Sequence, residues 1–211
     1  MVIRISIITL FVIGVILILW LGWTFYVTYN IERPRYKVLE KYDAVEIRLY
    51  EPYLIAYVDV QGDYKTAINA GFRILAGYIF GGNTRLESID MTAPVMERES
   101  ESIAMTAPVT EQQMGESRRI SFMMPGKYTL DTLPKPDDER IRFKEIIEKK
   151  YAVIRFTWYP TGPRVESKKA ELAELIQSLG YIPKGEPVFA AYNDPFSFPL
   201  LKRNEILIEV E

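Results

Sequence analysis

Residues 53–83, YLIAYVDVQGDYKTAINAGFRILAGYIFGGN, hold a strand, a break, a helix and a stop in that order. Tyr53 to Val60 is rich in Val, Ile, Leu and Tyr and follows Glu51-Pro52, so it reads as a strand. Gln61-Gly62-Asp63 breaks the run. Asp63 is a good helix N-cap, because its carboxylate can accept from an unpaired N–H of the first turn. Ile68, Phe72, Leu75 and Ile79 then recur at i, i+4, i+7 and i+11, one face of a helix that Gly81-Gly82 ends.

Tyr36 to Glu40 and Ala44 to Tyr50 read as two earlier strands, and extended segments are expected around Ser88–Val95 and Ser102–Val109. The second half has the same order. Arg118 to Met124, Ile141 to Ile147 and Tyr151 to Trp158 read as strands. Thr161-Gly162-Pro163 opens a helix whose inner face is Val165, Leu172, Ile176 and Leu179, and Gly180 stops it. Val188 to Tyr192 and Asn204 to Val210 are closing strands, joined by a loop rich in Pro and Phe. The expected class is α+β: a duplicated antiparallel domain with two helices laid against a curved sheet. The duplication rests on element order, since the halves share little identity.

A sharper repeat lies between the halves. Ser88–Val95 and Ser102–Val109 agree at seven of eight positions, fourteen residues apart, and the polar linker Met96–Glu101 would let them pair as a hairpin. A period of two puts Ile103, Met105 and Ala107 on one side. Six of the seven Met residues fall between Met91 and Met124. That region reads either as core filling or as the lining of an adaptable apolar pocket.

The N-terminal segment is of another kind. Ile5 to Val27, ISIITLFVIGVILILWLGWTFYV, is uncharged. As a helix it spans about 35 Å, enough for a hydrocarbon layer of roughly 30 Å. Trp20, Trp23, Phe25, Tyr26 and Tyr29 gather at its end, as interfacial aromatics do. An uncleaved single-pass membrane anchor is expected over residues 1–31, with a soluble domain over 32–211. A cleaved secretory signal is the rival, opposed by the length of the run and by the lack of a small-x-small site before Tyr29. The flanking charges leave the side of the soluble domain open.

The 211 residues carry 26 Lys plus Arg against 28 Asp plus Glu, with no Cys and no His. Disulfides, thiolate nucleophiles, zinc ribbons, His-based triads and His-ligated metals are therefore excluded. A net charge of −2 argues against a nucleic-acid partner. Gly81-Gly82-Asn83 follows a helix and so is no phosphate cradle. The acidic runs Asp137-Asp138-Glu139 and Glu97, Glu99, Glu101 lie in polar loops, with no cage for a hard cation. No enzyme and no catalytic residue is expected, and no metal set is visible.

Several blocks carry a family resemblance. They are Val45-Glu46-Ile47-Arg48-x-Tyr50, then Gly71-Phe72-x-x-Leu75-x-x-Tyr78-x-x-Gly81-x-Asn83, then Ile89-x-Met91-Thr92-Ala93-Pro94-Val95. Ser121-Phe122-x-Met124-Pro125, Ala191-Tyr192-Asn193-x-Pro195-Phe196 and Arg203-Asn204-Glu205-Ile206-x-Ile208 follow. In this order and spacing they resemble the SOUL haem-binding protein family over about residues 36 to 210. The resemblance implies two βαββ repeats forming a distorted antiparallel barrel with two helices, similar to gyrase-inhibitor-like effector-binding domains. It also implies haem or tetrapyrrole binding. In the branch where a histidine is thought to hold the iron, that residue follows Arg in a Tyr-Glu-Ile-Arg-His-Tyr strand. Leu49 stands there in this chain and cannot ligate iron. Binding would then use an apolar slot, or a Met or Tyr ligand.

The candidate walls of such a slot are Leu49, Ile68, Phe72 and Leu75, and the candidate propionate partners are Arg48, Lys65 and Arg73. The same residues also read as a core stripe and a solvated face. The expected function is haem or tetrapyrrole binding without His ligation, for sequestration or delivery at a membrane. The alternatives are an effector-type module for other amphipathic molecules, or a ligand-free protein-interaction domain. A cleft beside the first soluble helix would separate the last from the others.

Overall fold

Residues 53–83 fold as their pattern dictates. Asp63 Oδ1 accepts from the Thr66 N–H at 2.7 Å and caps the helix. Gly81, at φ +112°, supplies the left-handed backbone that stops it. The computed structural model describes residues 2–29, 31–85 and 100–211. In chain order these form α1 (Val2–Tyr29), β1 (Tyr36–Lys41), β2 (Val45–Tyr50), β3 (Tyr53–Gln61) and α2 (Tyr64–Ile79). Next come β4 (Asn83–Thr84), β5 (Val109–Met114), β6 (Ser117–Met123), β7 (Lys135–Pro136) and β8 (Arg142–Ile146). The chain closes with β9 (Lys149–Phe156), α3 (Gly162–Ser178), β10 (Pro183–Ala191), a 3-10 turn (Pro199–Leu201) and β11 (Asn204–Val210).

Nine strands make one antiparallel sheet in the order β1-β2-β9-β11-β10-β5-β6-β3-β8, and β4 with β7 makes a separate ribbon. Both domain helices cover the same face. α2 packs on β3 and β6, with Leu75, Tyr78 and Ile79 against Ala56, Val58, Ile120 and Phe122. α3 packs on β9, β10 and β11, with Val165, Leu172 and Ile176 against Ile154, Ile206 and Ile208. The other face curls around a groove of about 180 Å³, lined from eight strands (β2, β3, β5, β6 and β8 to β11). The sheet is thus an open, strongly curled half-barrel. Its edge strands β1 and β8 carry Lys37, Lys41, Arg142 and Lys144, charges that discourage edge-to-edge pairing. Residues Ile8–Tyr29 of α1 form one helix long and apolar enough to cross a membrane, and it is almost wholly exposed.

The segment between the halves departs from expectation. Of Ser102–Val109 only Val109, the first residue of β5, joins a ladder; the rest makes single bridges, Ser102 with Phe80 and Thr106 with Glu32. Ile103 and Ala107 are buried while Met105 is 37% exposed, so the three do not share a side. The Ala107 N–H donates to Glu32 O at 2.9 Å, and the Thr106 hydroxyl to Met123 O. These bonds to separate elements replace a ladder. The first copy, Ser88–Val95, lies outside the described residues. β5 was invisible because Val109-Thr-Glu-Gln-Gln-Met has no apolar alternation. Its Glu111 is 1% exposed, held by Arg118 at 2.5 Å and Lys169 at 3.3 Å.

Asn83 accounts for the last position of the Gly-Gly-Asn stop. Its amide donates to Tyr78 O (2.6 Å) and Glu101 O (2.8 Å) and accepts from the Glu101 N–H (2.9 Å). It ties the end of α2 to the chain that returns at residue 101.

A charged cluster on the curled face joins β2 to β11. Arg48 donates to Glu205 at 3.0 Å, to Tyr50 OH at 3.1 Å and to Glu46 at 2.7 and 2.9 Å, and lies 4.4 Å from the Tyr36 ring centroid. Glu205 is fully buried and also accepts from Arg203 at 2.9 Å. Burial opposes the Arg48 charge, but Glu205, Tyr50 and Glu46 outweigh it and hold its pKa above the ordinary value. The same balance, with Glu205 and Tyr192, raises Arg203.

Three substitutions test this packing. A Cβ at Gly71 would sit 2.5 Å from Ile120 Cγ1, so Gly71→Ala should cost about 1–3 kcal/mol in chemical unfolding. Gly77→Ala, with no described atom within 4 Å of the added carbon, should be neutral or stabilising by up to ~1 kcal/mol. Glu205→Gln removes the carboxylate shared by Arg203 and Arg48, of which only Arg48 keeps another in Glu46, and should cost about 3–5 kcal/mol, read from the same unfolding curves.

Candidate functional site

Ile68 and Phe72 lie one turn apart on α2, so they share a face. The sheet covers that face only in part: Ile68 is half-buried against the core and Phe72 leans on Phe122 of β6. The face forms one wall of an apolar cleft of about 470 Å³. Tyr64 continues the wall towards the start of α2. Met105, from the irregular segment, and Phe189 and Ala191, at the end of β10, stand across from it. Tyr159-Pro160 and Asp194-Pro195 close the sides. The volume falls within the roughly 300–1,000 Å³ of small-molecule sites.

Local bonds hold this lining in place. The Tyr64 hydroxyl donates to Pro160 O at 3.1 Å and ties α2 to the loop before α3. Burial pushes the Tyr64 phenol above its usual pKa. Phe72 is 36% exposed, and its ring meets Phe122 edge to face at 5.3 Å between centroids. Lys202, buried at the side of the cleft, donates to Asp194 O (2.7 Å) and Pro195 O (3.1 Å). Burial lowers its pKa against the pull of Asp194. Glu111 lies deep in the cleft, its charge already matched by Arg118 and Lys169. A ligand therefore meets apolar walls with few uncommitted charges.

Of the seven residues expected at a slot, Lys65, Ile68 and Phe72 line this cleft. Leu75, one turn further on, is fully enclosed between α2 and the sheet. Leu49 is half-buried on β2 between Lys37 and Lys150 of the neighbouring strands and is not part of the lining. Arg48 is committed to the Glu205 cluster. Arg73 is exposed on α2 outside the cleft. Lys65, at the rim, is the one expected propionate partner that the fold brings to the site. Met105 comes from the Met-rich region that the sequence offered as a pocket lining, while sequence reasoning missed Tyr64, Phe189, Tyr159, Pro160 and Lys202. For the loop Asn193–Pro195 a signal existed in the family block around Tyr192.

The lining fits a porphyrin held by apolar contact. The lining side chains of a type that can ligate haem iron are the Met105 thioether and the phenols of Tyr64, Tyr159 and Tyr192. Among the described residues no group of three Asp or Glu side chains is placed to hold a metal ion. A larger recess, about 780 Å³, lies at the other end of β3. Its lining includes Glu32, Arg33, Arg35, Glu51, Asp131 and Glu145. That charged lining suits water, so the smaller apolar cleft is the stronger candidate.

The chain is 29% identical to mouse (Mus musculus) Heme-binding protein 2 over 182 residues, 82% of this chain and 83% of that one. In shape it is similar to the EcmrR C-terminal domain, with a TM-score of 0.56 and 12% identity over 83% of this chain and 98% of that chain. It is also similar to a hydrolase from Listeria innocua, with a TM-score of 0.50 and 16% identity over 82% and 94% of the two chains. Those two likenesses concern fold alone. A family model described as SOUL heme-binding protein matches residues 31–209, and the chain belongs to that family.

Proposed function

We propose that this protein binds haem or a related tetrapyrrole in the cleft beside α2, without histidine ligation, and sequesters or delivers it at a membrane. The observation that carries the reading is the cleft itself: an open apolar slot faced by Ile68, Phe72 and Met105 in a SOUL family chain that lacks histidine. When bound, haem would rest on these walls, with Lys65 at the rim for a propionate and Met105 or a tyrosine near the iron. Binding, not catalysis, is the role proposed, and nucleic acid is not a proposed partner. α1 is read as the anchor of residues 1–31, and residues 32–211 as the binding domain. The two βαββ repeats are read as β3-α2-β5-β6 and β9-α3-β10-β11, with Ser117–Met123 moved from the second half, where sequence order put it, to the first.

A second reading is an effector-type module for other amphipathic molecules. The fold shared with the EcmrR C-terminal domain favours it. A ligand-free interaction domain would be expected to have a filled interior, and the 470 Å³ cleft weighs against it.

Hemin titration of the detergent-solubilised chain tests the first reading. A saturable Soret shift is expected. Phe72→Ala and Ile68→Ala should each weaken binding by about 5- to 30-fold, the equivalent of ~1–2 kcal/mol of lost apolar contact. Met105→Ala should alter the Soret and charge-transfer bands if the thioether meets iron. No shift beyond that of an unrelated acidic protein would sink the haem reading. Competition by lipophilic cations in place of haem would favour the second.

A further inference from the structure

α1 is fastened to the domain by one face near its C-terminal end. Trp20 Nε1 donates to Phe196 O at 2.7 Å, and its ring meets Phe198 edge to face at 4.9 Å. Thr24 Oγ1 accepts from the Phe198 N–H at 2.9 Å, and Asn193 Nδ2 donates to Thr28 Oγ1 at 3.0 Å. Positions 20, 24 and 28 recur at i, i+4 and i+8, so the loop after β10 runs along the helix. Trp20 lies about 13 Å below Tyr29 along the axis. This stretch also holds Trp23 and Tyr26, the aromatics that prefer the headgroup layer. Any bilayer placement that buries Trp20 carries Phe196 to the same depth.

The surface at this level is apolar. Phe196 is 78% exposed and Leu200 58%. Trp158 adjoins them, 45% exposed, with its N–H donating to Pro199 O at 2.9 Å. Trp158 holds φ +77°, a left-handed backbone that costs a bulky residue roughly 1–2 kcal/mol. Its carbonyl is fixed by Asn204 Nδ2 at 2.8 Å. The strained backbone holds the Trp158 ring partly exposed beside Phe196 and Leu200.

The loop is also dressed for a medium without water. The N–H groups of Phe196, Ser197, Phe198, Leu201 and Lys202 find acceptors inside the protein, Pro195 and Pro199 have none to satisfy, and the Leu200 N–H is left to the interface. Asp194 spends both carboxylate oxygens on Phe196 and Ser197. Backbone satisfied in this way enters the edge of a bilayer at low cost. The patch adjoins the mouth of the cleft, since Tyr159, Asp194 and Pro195 belong to both.

We propose that the loop Asp194–Leu201, with Trp158 and Tyr159, is a second, lipid-facing surface that seats the cleft mouth on the bilayer. This rests on the anchor reading of α1. An apolar ligand would then pass between the acyl layer and the cleft without crossing bulk water.

The absence of cysteine makes the test direct. Single-cysteine variants of the full chain, Phe196→Cys, Leu200→Cys, Leu17→Cys and Glu116→Cys, are labelled with an environment-sensitive fluorophore. Each is reconstituted in phosphatidylcholine vesicles with and without acyl-chain nitroxide lipid. The expected result is blue-shifted emission and strong nitroxide quenching at 196 and 200, as at 17 in mid-anchor, and neither at 116 in the β5–β6 turn. Quenching at 17 with none at 196 and 200 overturns the proposal and leaves the anchor standing. Blue-shifted emission at 196 and 200 without quenching means that protein covers the patch and also overturns it. Absence of quenching at 17 refutes the anchor, and this surface with it.

Discussion

Gly71 lies against Ile120 so closely that no side chain fits between them, and the position of α2 depends on that contact. The approach lets Leu75, Tyr78 and Ile79 sink into the sheet, where dispersion and the loss of apolar surface to water reward close packing. It also decides what stays outside. Ile68 and Phe72 stand on the flank of the same helix, and with α2 drawn down onto β6 they become the lip of a cleft. Core and site are set by one absent methyl group.

The buried charges serve the sheet and leave the site apolar. Arg48, Glu205 and Arg203 knit β2 to β11, and Glu111 joins β5 to β6 through Arg118 and to α3 through Lys169. Such pairs cost desolvation and are weak sources of net stability, but each is costly to break singly. With these charges matched internally, and with neither His nor Cys in the chain, the cleft is dominated by shape and apolar contact. Such a lining offers apolar contact and few free polar groups.

The loops give this arrangement its direction. Lys202 and Asp194 stiffen the turn after β10, which closes one side of the cleft and meets α1 on its other flank. Through that loop the N-terminal helix and the cleft mouth become parts of one surface.

Sequence alone determined the elements wherever a single periodicity governs burial. The strand, cap, helix and stop of residues 53–83, the helix after Thr161, the long apolar N-terminal helix and the family blocks were all legible, because 2.0- and 3.6-residue periods and turn chemistry are local properties. β5 was not legible, because its buried Glu111 is stabilised by partners on β6 and α3. Met105 was misplaced because its segment bonds to three separate elements and keeps no period. The site divided in the same way. Lys65, Ile68 and Phe72 could be named from one helix face. Arg48, Leu49, Leu75 and Arg73 lie outside the lining of the candidate cleft. Whether an apolar side chain fills the core or lines a cleft depends on what packs against it, and only the tertiary structure decides that.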